Sequence, residues 1–421
     1  MSQFVRIHHN QNPVEIEVDD RIDLWTSSPV REVALSELDF SAAIHNALEH
    51  PTDYPPLSGG VVPGDAVAIV LDVELPHLGS AVAGVLQALS QCELSRIDVV
   101  IADSATEATR SAVKNSLPPG VVFTVHSGRS RDDLRYLAAN EAADPIYLNR
   151  RVIDADLVIP VMVSRCADPI SLNTTANAVF PSLADYRSQV RAQLTALDLT
   201  RLSSQRATDS DDEASRVGWL LGLQWVVSVD VNEDGEPSAV FAGTPALMAA
   251  RVCERDQDTR PPFAAEIVVA CVDGGQQQHS MANLLRAALA ARAIAAGDAT
   301  IVLVSDVGDL GVAGISLEDA EREEELEDDE SEAGAPTKAA YFNLAQHSRQ
   351  LLSSLINELD SSQRFLLLSR CTEEEVESFG FGAIDNVDAL SRLINAHDSC
   401  IVIRNAQLAP AKHASSYSKK L

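Results

Sequence analysis

The chain is poor in aromatic residues, cysteine and positive charge, and it contains no long apolar run. Aromatic residues make up 5% of its 421 positions, so any core must be packed mainly by Val, Leu, Ile and Ala. That is the make-up of buried parallel strands covered by helices. Six cysteines (Cys92, Cys166, Cys253, Cys271, Cys371 and Cys400) are scattered without a CxxC pair. This argues against a zinc ribbon and a disulfide scaffold, and suits a reducing compartment. No stretch approaches 18 uncharged apolar residues, and the N-terminus, MSQFVRIHHNQNPVEIEV, has no apolar segment of the signal-peptide kind. The expectation is a cytoplasmic protein with no membrane partner. Lys and Arg number 32 against 62 Asp and Glu, for a formal charge of -30. Such a surface repels phosphate backbones, so nucleic acid is not an expected partner.

What is present is an alternation of short apolar runs and helical periods. AVAIVLDV, IDVVIAD, VVFTVH and LVIPVMV read as strands, and LGSAVAGVLQALSQC and TEATRSAVKNSL as helices between them. This order predicts βαβ units and a mostly parallel, doubly wound sheet. FVRIHHNQNPVEIEV reads as one alternating strand, and SELDFSAAIHNALEH as a helix capped by Ser36. RLSSQRATDSDDEAS reads as a surface loop, and the stretch from Trp225 to Gly243 as a hairpin turning at Asn232, Asp234 and Gly235. Pro261 and Pro262 mark a domain boundary. The expected architecture is α/β: two domains, 1–260 and 261–421, with mostly parallel sheets and a cleft between them. The second begins with AEIVVACVDGG and also holds TIVLVSDVGDLG, RFLLLSR and CIVIRN. Residues 318–332 carry eleven acids against one Arg and read as a solvated loop.

Chemistry is expected at the carboxyl ends of parallel strands. Asp72 and Asp103 end two predicted strands there, the alternative being that they cap the following helices. His77 shares the loop of Asp72, and Arg165 follows LVIPVMV. Gly274 and Gly275 form a turn before a helix, a place where free N–H groups can meet an anion. That turn lacks both the G-x-G-x-x-G pattern and a P-loop Lys, so it is a weak nucleotide motif, and the plainer reading is a tight strand-to-helix connection. Neither a G-x-S-x-G nor an H-E-x-x-H motif occurs, and no metal-ligand spacing is present.

Several segments together resemble the nickel-dependent lactate racemase family. PGDAVAIVLDVELP is similar to its PGD-strand-D-x-T-R-P opening. VHSGRSRDDLRYLAANEAADPIYLNRRVIDADLVI is similar to the stretch ending P-V-x-x-N-x-x-V-x-x-A-D-L-V-I, and NEDGEPSAVFAG to the V-F-A-G hairpin. The resemblance implies two α/β domains, a nickel-pincer nucleotide held by a lysine, and two histidines on opposite faces of a 2-hydroxy acid that exchange its Cα hydrogen, by hydride transfer to the cofactor with acid–base help at the hydroxyl. Inversion needs a base on each face of that carbon.

Carried over residue by residue, these groups are missing. The Arg of D-x-T-R-P is Leu75, the first histidine is Thr106, the second Ala167, and the cofactor lysine Asn177. Arg286 stands near the basic residue of the second-domain helix, and His126 matches a histidine read as structural. Asn cannot carry the cofactor linkage, and Thr or Ala cannot serve as a base near pH 7. The expectation is therefore a member without the racemase constellation: no metal, no covalently bound cofactor, and a small anionic ligand as partner. Asp72, His77, Asp103, Arg165, Gly274, Gly275 and Arg286 are its candidate ligand residues. The alternatives are an active racemase or epimerase using substitutes among these residues, or a nucleotide- or anion-binding module.

Overall fold

The computed structural model describes residues 3–27, 33–165, 178–258, 261–308 and 363–409, apart from Gln11, Glu141, Val190, residues 193–206 and Phe379. Its strands are β1 (Gln3–His9), β2 (Asn12–Val18), β3 (Asp23–Thr26), β4 (Ala66–Leu71), β5 (Arg96–Ile101), β6 (Val121–Val125), β7 (Leu134–Ala139) and β8 (Pro145–Asn149). They continue with β9 (Leu157–Val163), β10 (Val226–Val231), β11 (Pro237–Gly243), β12 (Ala265–Cys271), β13 (Ala295–Val304), β14 (Arg364–Leu368), β15 (Gly382–Ala383) and β16 (Ser399–Ile403). The chain forms two compact units, Ser28–Arg260 with Leu408–Leu421, and Met1–Ser27 with Pro261–Gln407.

The first unit is built on a six-stranded sheet in the order β11-β10-β9-β4-β5-β6. All its pairings are parallel except the β10–β11 hairpin. β4 and β9 are buried at every position, which is why they read as continuous apolar runs without alternation. Val67, Ile69 and Leu71 face one core, and Ala68 and Val70 face the other. Helices Glu37–Glu49 and Leu78–Ala88 cover the first of these faces. Ser36 caps the former by accepting from Asp39 N. Gly84 lets the two helices touch, since a Cβ there would lie 2.5 Å from the Ser41 carbonyl oxygen. The segment read as a surface loop is helical from Ala207, in helix Ala207–Leu220.

The second unit has the sheet order β15-β14-β13-β12-β16-β3, parallel throughout. Two N-terminal expectations are corrected here. FVRIHHNQNPVEIEV folds as the antiparallel hairpin β1–β2, not as one strand. That hairpin lays Val5, Ile7, Ile16 and Val18 against Ile267, Val269, Val302 and Val402 of this sheet, and β3 adds the edge strand beside β16. The N-terminal 27 residues therefore belong with the second unit, because its sheet would otherwise expose an apolar face. The acidic run 318–332 lies outside the described residues.

Candidate functional site

Each sheet has a point where the strand order reverses, and ligands of open α/β sheets bind beyond the carboxyl ends of the strands flanking it. In the first unit β4 and β9 flank that point; in the second, β12 and β16 do. An acid follows one strand of each pair, and an arginine follows the other. Both pairs close as ion pairs: Asp72 with Arg165, and Asp273 with Arg404.

In the first unit, Arg165 Nη2 donates to Asp72 Oδ2 at 2.7 Å, and Nη1 lies 3.0 Å from Glu74 Oε2. The amide of Glu74 donates to Asp72 Oδ1 at 3.0 Å, and that of Val163 to Oδ2 at 3.3 Å. Sequence reasoning found Asp72 and Arg165 but missed Glu74. The sequence signal was the D-x-E spacing, which places a second carboxylate on the same turn.

His77 is on the same loop but turns elsewhere. It sits in the left-handed region at φ 50°, Nε2 donates to Glu236 Oε2 at 2.6 Å, and Nδ1 is 3.6 Å from Glu37 Oε1. Asp103 is exposed, and its carbonyl accepts from Arg110. Thr106 caps helix Glu107–Ser116, with Oγ1 accepting from Thr109 N at 3.1 Å. Ala167 and Asn177 lie outside the described residues. His126 is buried: Nε2 donates to the Ala184 carbonyl at 2.9 Å, and Nδ1 accepts from Asn149 at 3.2 Å. Burial pushes its pKa below the usual value, against the opposing effects of that carbonyl and nearby carboxylates. Leu75 is buried in the apolar core and offers no donor. At Leu75 and Thr106 the residues do not fit a nucleotide cofactor bound in the manner the resemblance implies, and no chemical step is derived through one.

In the second unit, Asp273 accepts from Arg404 Nε at 2.9 Å, Arg404 Nη2 at 3.0 Å and Asn405 N at 2.8 Å. Burial alone would raise its pKa; His8, Arg404 and the Asn405 amide outweigh that and hold it below the ordinary carboxylate value. His8 Nδ1 lies 2.8 Å from Arg404 Nη2 and 3.2 Å from Asp273 Oδ1. Gly274 takes φ 102° beside this pair, a conformation that favours glycine. Gly275 is crowded only by the flexible Gln277 side chain. Arg286 is buried and donates to Asn283 Oδ1 within its own helix, Met281–Ile294. His279 Nδ1 accepts from Asp306 N at 3.1 Å, and burial lowers its pKa more than Asp306 raises it. Sequence reasoning missed Asp273 and Arg404, which stand 131 positions apart.

Among the described residues no three His, Cys, Asp or Glu side chains are grouped to hold a metal, and no helix is long and apolar enough to cross a membrane. In each unit the strand-end donors converge on the chain's own carboxylate, Asp72 in the first and Asp273 in the second.

The fold and these edges define a two-unit α/β protein with mostly parallel sheets and a polar switch point in each. Residues 10–189 match the family model described as the lactate racemase N-terminal domain. That match spans 180 of the 421 residues. Among solved structures it is similar to the lactate racemase apoprotein from Thermoanaerobacterium thermosaccharolyticum, with a TM-score of 0.70 at 12% identity over 97% of this chain and 99% of that one. It is also similar to a structural-genomics protein from Thermotoga maritima, with a TM-score of 0.59 at 10% identity over 90% and 99% of the two chains. At these identities the likeness shows the fold. No curated protein matches the chain by sequence.

Proposed function

We propose that this chain keeps the lactate racemase scaffold without its chemistry and serves as a binding or regulatory protein for a small anion. The observation that carries this reading is Thr106. It stands where the resemblance implies the first catalytic histidine, and its hydroxyl is engaged as the N-cap of helix Glu107–Ser116. A threonine cannot take a proton near pH 7, and losing a general base costs orders of magnitude in rate. Leu75, buried where the resemblance implies a phosphate-facing arginine, supports the same reading. A cytoplasmic location accords with four free thiols, Cys92, Cys271, Cys371 and Cys400, among the described residues.

The test is metal content after co-expression with enzymes that make the nickel-pincer nucleotide. The expected result is no stoichiometric nickel and no added mass at Asn177. One nickel per chain would overturn the reading and favour a working racemase.

A further inference from the structure

The edge of a sheet presents backbone donors and acceptors that a further strand can take up, and folded chains usually cover, charge or shorten it. Three of the four edges of the two six-stranded sheets follow that rule. At β11, Leu35 N donates to the Pro237 carbonyl and Thr52 N to the Ala242 carbonyl. β15 is two residues long, and β3 is four residues opening on Asp23. β6 is different. Its five residues, VVFTV, contain no charge and no proline, and it pairs with β5 without a bulge.

The register fixes which groups β6 turns outward. His126 N donates to the Ile101 carbonyl and Thr124 is paired with Val100, and bonding residues alternate along a parallel ladder. Val122 and Thr124 therefore bond to β5, while Val121, Phe123 and Val125 direct their N–H and C=O groups away from it. Among the described residues of this unit, no hydrogen bond reaches those of Phe123 and Val125. Local charge does not keep a second copy away. Residues 107–133 carry Arg110, Lys114, Arg129 and Arg131 against Glu107, Asp132 and Asp133, a net of +1 in a chain of -30.

We propose that β6 is a self-association edge whose occupant is β6 of a second copy of this chain, running antiparallel about a two-fold axis at Thr124. This register sets Phe123 opposite Val125 of the second copy, and Val125 opposite its Phe123. Each is a hydrogen-bonded pair that exchanges two N–H···O=C bonds, so the outward groups of both residues are satisfied in both copies. An aromatic and a β-branched side chain face each other in both pairs, a combination that stabilises sheets. The contact is isologous and closes at two copies, joining the two six-stranded sheets into one. Pairing over so short a strand buries less than a permanent dimer needs, so association is weak and follows concentration.

The test is sedimentation equilibrium of the full chain over a concentration series, at about 0.15 M salt, where charges further apart than roughly 8 Å are screened. Wild type is expected to rise from 45.1 kDa toward twice that mass. Thr124→Lys is expected to stay at the lower mass at every concentration, because two like charges would meet on the axis. That variant brings the net charge closer to zero, so general repulsion does not account for such a loss. Thr124→Cys under a mild disulfide oxidant is expected to give a dimer in which mass spectrometry finds the two 124 positions joined. Residues facing each other in a non-hydrogen-bonded pair lie about 4.5 Å apart at Cα, within disulfide range. Wild type monomeric throughout, Thr124→Lys associating as wild type does, or no linkage between the 124 positions would overturn the proposal. Masses rising beyond the dimer would overturn the closed two-fold contact. If circular dichroism shows Thr124→Lys unfolded, the wild-type mass and the Thr124→Cys linkage decide by the same criteria.

Discussion

Asp273→Asn removes the charge from the buried ion pair at the second switch point. Arg404 would keep its charge, 5% exposed at the side chain, facing an amide that competes as a donor. Breaking one partner of a buried, hydrogen-bonded pair costs about 3–5 kcal/mol, and three charge-assisted bonds to Asp273 are weakened together. An estimate of about 4 kcal/mol is a large part of a typical domain's stability of roughly 5–15 kcal/mol. With a urea slope of about 2 kcal/mol/M, the midpoint should fall by about 2 M. Trp25, in β3 beside β16, reports this unit by fluorescence, because Trp219 and Trp225 belong to the other. Asp273→Leu with Arg404→Met should recover part of the loss, since an apolar pair removes the stranded charge. A midpoint shift under about 0.5 M for Asp273→Asn would refute the argument.

Stability should also fall on the acid side of neutrality. His126 and His279 have lowered values in the folded state, so their contribution is full above the ordinary 6.5 and is lost as pH falls through the folded values. Asp273, likewise lowered, adds a further loss below 3.8; a flat urea midpoint between pH 7 and pH 4 would contradict this assignment. Thr106→Ala should cost about 1 kcal/mol through loss of the N-cap, read as a lower melting temperature. Gly84→Ala should cost about 1–3 kcal/mol in urea denaturation, because its methyl would press on Ser41 and Ile44 in the facing helix. Cys271 and Cys400 should resist a thiol reagent at pH 8 until the chain unfolds, since burial raises both thiols, that of Cys400 to about 12. Fast labelling of either in the folded chain would contradict the packing.

Local pattern made the central strands legible. AVAIVL and LVIPVMV are apolar throughout because both faces of their sheet are covered, and Ser36 announced its helix by residue type. The route of the N-terminus was not legible. Whether DLWT pairs with a strand some 375 residues later depends on a partner that no local period encodes. The loop expected at 201–215 failed from Ala207 onward because polar residues can line a helix as well as a loop. At the site, strand-end position singled out Asp72 and Arg165, whereas Glu74, Asp273 and Arg404 acquire meaning only from where the chain brings them. Asp103 shows the opposite case: its strand-end position is real, but its side chain points to solvent.

If, as proposed, Thr106 stands in place of a base, no racemase chemistry remains. The most direct measurement is to incubate the chain, produced alongside the cofactor-making enzymes, with L-lactate and follow D-lactate by chiral chromatography. No D-lactate above the protein-free control is expected. D-lactate accumulating with time and lost on heat denaturation would contradict the proposal.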